Sequence, residues 1–340
     1  MIPDLSREKI LALYKTMLTI RRFEEALIKL TKSGVSVGHF HVYIGQECTG
    51  APALSLHEPG DTIVTTHRNH GHLLARGADP GRLMAEILGR ATGYNKGKGG
   101  TLHVTVRELG FLSSSGIIGG SLSLATGGAF AAKQKRTTGV SFCFFGDGAV
   151  EEGVFYECIN IAALWSLPVI YLCENNSQEA FAASAGEYPG STIAAPLLTG
   201  LAEAFKIPAT AVDGSDAGGV YKAVKEAVVR ARGGRGPSFI EAKTVRSPVT
   251  RFLWPDLVAG EMNLTWVWDP KSIPQEYGEW HKSQDGLLRF TRELIETGLV
   301  TQDVVLGMDR DVRVEMDKAV HYAVASPYPD PERAMDDVFA

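Results

Sequence analysis

Apolar positions mark out the elements of this chain. Behind Ser6, which can cap a helix, Leu11, Tyr14, Leu18, Phe23, Leu27 and Leu30 recur at roughly helical spacing and predict a helix over 6–32. Residues 34–120 read as loop-rich, with helices near 46–56, 69–76 and 80–91 and a break at Gly97, Gly99 and Gly100. A small-residue helix follows over 121–134. Val140–Phe145 and Pro168–Cys173 are continuous apolar runs, the pattern of strands covered on both faces. Between them lie the turn Gly146-Asp147-Gly148 and a helix over Glu151–Trp165, its apolar side formed by Val154, Phe155, Cys158, Ile161, Ala162 and Trp165. That is a parallel βαβ unit. Helices at Leu198–Phe205 and Asp216–Arg232 and strands at Ala209–Val212 and Ser238–Lys243 extend it to an α/β fold, a doubly wound, mostly parallel sheet flanked by helices. Residues 246–284 carry Pro248, Pro255, Pro270 and Pro274 with Trp254, Trp266, Trp268 and Trp280, and read as an irregular segment suited to an interface. Helices near 285–298 and 301–325 precede a proline-rich tail over 327–340. With no repeat and no low-complexity linker, residues 1–340 are expected to form one domain.

Composition narrows the class. The chain has 340 residues, 44% hydrophobic and 21% charged, which excludes a disordered polypeptide. A net charge of −5 leaves no basic footprint for nucleic acid. No apolar run reaches the ~18 residues of a membrane span, and Met1-Ile2-Pro3-Asp4 does not begin a signal peptide. Cys48, Cys143, Cys158 and Cys173 form no CxxC pair, and the expectation is buried thiols in the cytoplasm.

The chemistry-bearing pattern is Gly146-Asp147-Gly148 after one strand and Asn175-Asn176 after the next, with Asp147 and Asn176 29 positions apart. Parallel strands deliver both to the carboxyl edge of the sheet, where ligands bind. A carboxylate and an amide carbonyl are hard oxygen ligands suited to Mg²⁺ or Ca²⁺, with phosphate oxygens completing the shell. The glycines allow close backbone approach, and a helix starting at Ala149 would aim its N-terminus at the same anion. Either element alone is an ordinary turn; together, at βαβ spacing, they point to a metal–diphosphate site.

This spacing resembles the binding signature of thiamine-diphosphate enzymes. Leu13-Tyr14-Lys15-Thr16-Met17, Arg21-Arg22-Phe23-Glu24-Glu25, Gly45-Gln46-Glu47, His67-Arg68-Asn69-His70-Gly71, Gly97-Lys98-Gly99-Gly100 with His103, Gly116-Ile117-Ile118-Gly119-Gly120 and Ala162-Ala163-Leu164-Trp165 resemble the alpha subunit of the first, decarboxylating component of 2-oxo-acid dehydrogenase complexes, in its acetoin and pyruvate branch. The resemblance runs over about residues 6–245. It implies the diphosphate-binding half of a thiamine-diphosphate fold. Asp147 and Asn176 would bind Mg²⁺ by side chains and Gln178 by its carbonyl. Gly146, Gly148 and Ala149 would meet the diphosphate, and Arg68 would pair with a phosphate, beside His67 and with Arg246 contributing. Gly116 and Ile118 would hold the aminopyrimidine, Ile118 also wedging the cofactor into its bent form, and Phe40 and His41 would face the substrate channel.

The implied reaction is decarboxylation of a pyruvate-like 2-oxo acid and transfer of the acyl unit to a lipoyl carrier protein. The implied partner is a beta-type subunit, two of each, which supplies the glutamate that activates the aminopyrimidine. Among nine histidines, His41, His70 and His103 are the candidates for catalysis as donors or proton shuttles. A zinc site at His67, His70 and His72 lacks accompanying Cys or carboxylate ligands at suitable spacing. Glu151 and Glu152 read as helix-dipole partners. Two loops depart from the family. Ser177-Gln178-Glu179 replaces a tyrosine segment, and Thr250 stands where the family keeps a loop histidine, after Arg246 and Pro248 and before Arg251. Those departures make an aldehyde-accepting carboligase the alternative, while a Mg-dependent nucleotide- or phosphosugar-binding protein is the alternative of another class. GxGxxG after a strand and GxxxxGK[ST] are both lacking, against the nucleotide reading.

Overall fold

A computed structural model describes residues 2, 5–35, 40–176, 195, 197–245, 261–275 and 278–336. Six parallel strands form one sheet: β1 (Thr62–Thr66), β2 (Phe111–Ser115), β3 (Ser141–Gly146), β4 (Val169–Asn175), β5 (Ala209–Asp213) and β6 (Ser238–Lys243), in the order β2-β1-β3-β4-β6-β5. The doubly wound parallel sheet read from the sequence is therefore present. β3 and β4 lie at its centre, and every residue of β4 is buried, as its unbroken apolar run requires.

Alternate residues of the strands feed two cores. Ile63, Phe142, Phe144, Ile170, Leu172 and Ile240 face one side, with helices α1 (Arg7–Lys32), α2 (Glu47–Leu54), 217–232, 286–296 and 302–325. The neighbouring Val64, Cys143, Phe145, Val169, Tyr171 and Phe239 face the other, under helix 198–203 and the two helices that flank β3, 120–134 and 153–164. The Ser6 hydroxyl caps α1 by accepting from the Lys9 N–H. Charged residues buried in α1 have partners waiting. Arg21 makes two bonds to Asp285 at 2.9 and 3.0 Å and one to Glu47 at 2.6 Å, while Arg22 meets Asp309 and Glu25. Arg21, Arg22 and Glu25 thus form a buried ionic seam joining α1 to α2 and the C-terminal helices.

Several expectations are corrected. The loop-rich stretch 34–120 hides two strands, Thr62–Thr66 and Phe111–Ser115. Their Thr and Ser residues lack an apolar run, and β2 closes the sheet as an edge strand, where polar residues suffice. The helix after Asp147 starts at Gly153, not Glu151 or Ala149; a 3₁₀ turn over Asp147–Glu151 intervenes. On that helix Ile159 is buried, whereas Ile161 and Trp165 are exposed. Of the tryptophans read as an interface, Trp266 and Trp280 are buried within the chain, and Trp280 donates to the Val245 carbonyl. Trp254 lies outside the described residues. The four cysteines are free and buried, and desolvation pushes the Cys48, Cys143 and Cys173 thiols up. No helix among the described residues is long and apolar enough to cross a membrane.

Candidate active site

Because all six strands are parallel, their carboxyl ends share one edge. β2 leads there to Gly116 and Ile118, β1 to His67 and Arg68, β3 to Asp147, Gly148 and Ala149, and β4 to Asn176. Nearly the whole set read from the sequence therefore arrives together, on adjacent strands about 4.8 Å apart. Arg246 lies outside the described residues, as do Gln178, Thr250 and Arg251. The backbone N–H of Asn176 donates to the Asp147 carboxylate at 3.2 Å, joining the two strand ends.

The glycines of the turn carry a sharper argument. Gly146 has φ −89° and ψ 166°, a conformation open to any residue, and Gly148 is not among the residues with positive φ. A methyl group built on either would meet no described atom within 4 Å. Neither backbone conformation nor packing against the described chain asks for glycine here. The requirement points outward, to a body seated against the strand end. Ala149, buried beside them, starts the apolar packing of the 3₁₀ turn. The α-helix begins only at Gly153, so a 3₁₀ turn and not an α-helical N-terminus follows Gly146.

Arg68 is buried and pinned, donating to the Val42 carbonyl at 2.8 Å. The His41 and His67 rings meet edge-on at 4.5 Å. His103 is exposed, with Cε1 3.4 Å from where a Gly116 side chain would start, so it stands beside the β2 end. Ile117 and Ile118 project from that end at 75% and 61% exposure. His70 differs: it is fully buried, Nδ1 lies 3.1 Å from Glu24 and Nε2 2.8 Å from the Thr101 hydroxyl. His72 is equally buried and engaged with Thr65, Tyr43 and Glu174. His67, His70 and His72 thus serve different neighbours, and no group of three or more His, Cys, Asp or Glu among the described residues is arranged to hold a metal.

The support beneath the edge was not legible in the motifs. Glu86, fully buried, accepts from the backbone N–H groups of Asn95, Gly97, Gly99 and Gly100 at 2.7–3.3 Å, so the Gly97-Lys98-Gly99-Gly100 run wraps a carboxylate. Glu24 holds the Tyr43 N–H and His70. Glu174 accepts from the Tyr43 hydroxyl and sits, with Asn175, at the carboxyl end of the buried strand β4. Glu174 follows the apolar run that ends at Cys173, and no motif in the sequence marks it.

The family model described as "Dehydrogenase E1 component" matches residues 15–248. The chain belongs to this family. The E1 component is similar to the alpha subunit of an acetoin:2,6-dichlorophenolindophenol oxidoreductase of Bacillus subtilis, 38% identical over 336 residues, 99% of this chain and 95% of that one. A protein of the same name from Cupriavidus necator is 36% identical, covering 98% and 95%. The pyruvate dehydrogenase E1 component subunit alpha of Zymomonas mobilis is 36% identical over 328 residues, 95% of this chain and 86% of its own. An E1 alpha subunit works with thiamine diphosphate, decarboxylates a 2-oxo acid and requires a beta subunit. The chain is an enzyme subunit of that type. The site fits the cofactor, with open glycines, a pinned arginine, and Asp147 held at the strand end by the backbone N–H of Asn176.

Proposed function

We propose that this E1 component binds Mg²⁺–thiamine diphosphate at the β1–β4 edge and acts on acetoin or pyruvate within a two-alpha, two-beta assembly. The observation that carries the reading is the pair of glycines, Gly146 and Gly148, that the described chain itself does not need. Asp147 and Asn176 supply the metal with an anionic and a neutral oxygen, and Gln178 completes the protein ligands. Gly146, Gly148 and Ala149 meet the diphosphate by backbone, and Arg68 and Arg246 neutralise it. Gly116 and Ile118 hold the aminopyrimidine. When bound, thiamine diphosphate would supply the electron sink for the pair left behind as carbon dioxide leaves pyruvate or as acetaldehyde leaves acetoin.

The chain's own residues bind, orient and move protons. His41 and His103 stand at the edge and are the groups that reach a substrate; His70, with both nitrogens engaged, orients Thr101. The beta subunit covers the apolar face formed by helices Gly120–Gln134 and Gly153–Leu164, which flank β3 and where Leu124, Phe130, Tyr156, Leu164 and Trp165 are exposed. Buried thiols suit the cytoplasm. Since Thr250 replaces a histidine, an aldehyde acceptor is the second reading beside a lipoyl carrier protein.

Titrating thiamine diphosphate into the protein with and without Mg²⁺ tests the site. Binding that needs both Mg²⁺ and Asp147 supports it, and unchanged binding to Asp147→Ala overturns it. Supplying the two-subunit enzyme with acetoin or pyruvate, and with a lipoyl domain or small aldehydes, identifies substrate and acceptor.

A further inference from the structure

Behind the cofactor edge lies a buried polar cluster that no step of the reaction requires. We propose that Tyr43, Glu174, His72 and Thr65 form a positioning device that holds the metal- and phosphate-facing strand ends in their binding geometry. The proposal rests on the thiamine-diphosphate reading above.

The connections are short and specific. The Tyr43 hydroxyl donates to Glu174. His72 Nε2 lies 3.1 Å from that hydroxyl and 3.3 Å from Glu174, and His72 Nδ1 lies 2.6 Å from the Thr65 hydroxyl. The cluster thereby ties β1, β4, helix 70–75 and the segment containing Tyr43 into one unit. Each link ends next to a binding residue. Glu174 is two positions before Asn176 and pairs in register with Gly146, which precedes Asp147. Val42, beside Tyr43, gives its carbonyl to Arg68. Three of the groups assigned to metal and phosphate are thus placed through one cluster.

The four side chains cannot touch a ligand at the edge themselves. Tyr43, His72 and Thr65 are wholly buried, and Glu174 is 3% exposed. Their action is through the residues they hold. The sequence also makes room for Tyr43: a methyl at Gly71 would lie 2.0 Å from its ring, and one at Gly50 would lie 2.5 Å from its hydroxyl. Gly71 thus serves the tyrosine's slot. Buried polar networks with every member paired specify one arrangement, because any other leaves a desolvated group unpaired.

The test compares Tyr43→Phe with Tyr171→Phe in the two-subunit enzyme. Tyr171 is the control because it is also buried, sits on the same strand β4, and bonds through its hydroxyl to Thr126 at 2.7 Å, away from the edge. Each substitution deletes one buried hydroxyl, so both are expected to lower the melting midpoint of the cofactor-free protein alike. Only Tyr43→Phe should raise the thiamine-diphosphate Kd at saturating Mg²⁺, about tenfold, the size of effect seen when an outer-shell partner is removed. Its kcat at saturating cofactor should stay within about twofold, as expected for a change confined to binding. Glu174→Gln, which keeps an oxygen for the Tyr43 hydroxyl, should give a smaller rise. A Kd unchanged in Tyr43→Phe, or raised equally in Tyr171→Phe, overturns the positioning role. A wild-type protein that binds no thiamine diphosphate overturns instead the functional reading on which it rests.

Discussion

The Asn176 backbone N–H donates to the Asp147 carboxylate at 3.2 Å, so one of the two side chains proposed to hold the metal is oriented by the backbone of the other. This separates the two substitutions. Asn176→Ala keeps the N–H and loses one neutral ligand, whereas Asp147→Ala loses the anionic one. Cofactor affinity at fixed Mg²⁺ should fall about tenfold in the first and at least about a hundredfold in the second, the anion being the stronger ligand for a hard cation. Calorimetric titration of both variants checks the ranking.

Gly148→Ala should separate stability from binding. The added methyl meets no described atom within 4 Å, and the backbone there is not left-handed. Folding stability should hold or rise by about 0.5 kcal/mol, through lower entropy of the unfolded chain. Thiamine-diphosphate affinity should fall by tenfold or more. Denaturant melts of the cofactor-free protein and a binding titration measure the two separately.

Glu86→Gln tests the wrapped carboxylate. Four backbone N–H groups converge on the buried Glu86 oxygens. An amide retains one acceptor oxygen and turns an NH₂ toward donors. The loss should be about 3 kcal/mol, from charge-assisted bonds to buried groups, visible in chemical denaturation. The segment 95–103, which carries Thr101 and His103, should exchange its amide hydrogens faster.

Acid sensitivity should be traceable to Asp285. Burial alone would raise its pKa, but Arg21, supported by the His281 bond, holds the carboxyl far below its ordinary range. Folded Asp285 therefore stays ionised where the unfolded chain, near pH 4, takes up a proton. Its stabilisation is present above that pH and is lost as pH falls toward the folded pKa. Glu47, on the other side of Arg21, is pushed up by burial, so its proton uptake runs the opposite way. Asp285→Asn should cost about 3 kcal/mol or more at pH 7 by removing the carboxylate that pairs with both terminal nitrogens of the buried Arg21. The gap to wild type should narrow below about pH 4. Denaturation midpoints across this range isolate the Asp285 contribution.

Assembly should fail when the face of helices 120–134 and 153–164 is charged. Leu164 and Trp165 are 71% and 50% exposed, and Trp165 packs on Phe130 with ring centroids 5.4 Å apart. Leu164→Asp should leave the alpha chain's own melting nearly unchanged, since the side chain is already in solvent. It should weaken association with the beta subunit at least about tenfold, the cost of a charge at an apolar contact. Sedimentation of the mixed subunits reads this out.

The strands β3 and β4, the turn between them and the pairing of Asp147 with Asn176 were legible in the residues, because a buried parallel strand needs a continuous apolar run and a ligand turn needs glycine. The long helix over 7–32 was legible for the same reason of period and cap. β1 and β2 were not: Thr and Ser carry no burial signal, and only the sheet already formed by β3 and β4 gives them backbone partners. His70 read as catalytic from its motif, yet its neighbours Glu24 and Thr101, 46 and 31 positions away, take up both its nitrogens. Glu86 lay in a predicted helix, Tyr43 in a loop and Glu174 just past a predicted strand, and no motif set them apart. Tertiary structure decided their parts, since a buried charge is tolerated only where distant donors converge on it, and local sequence does not encode that convergence.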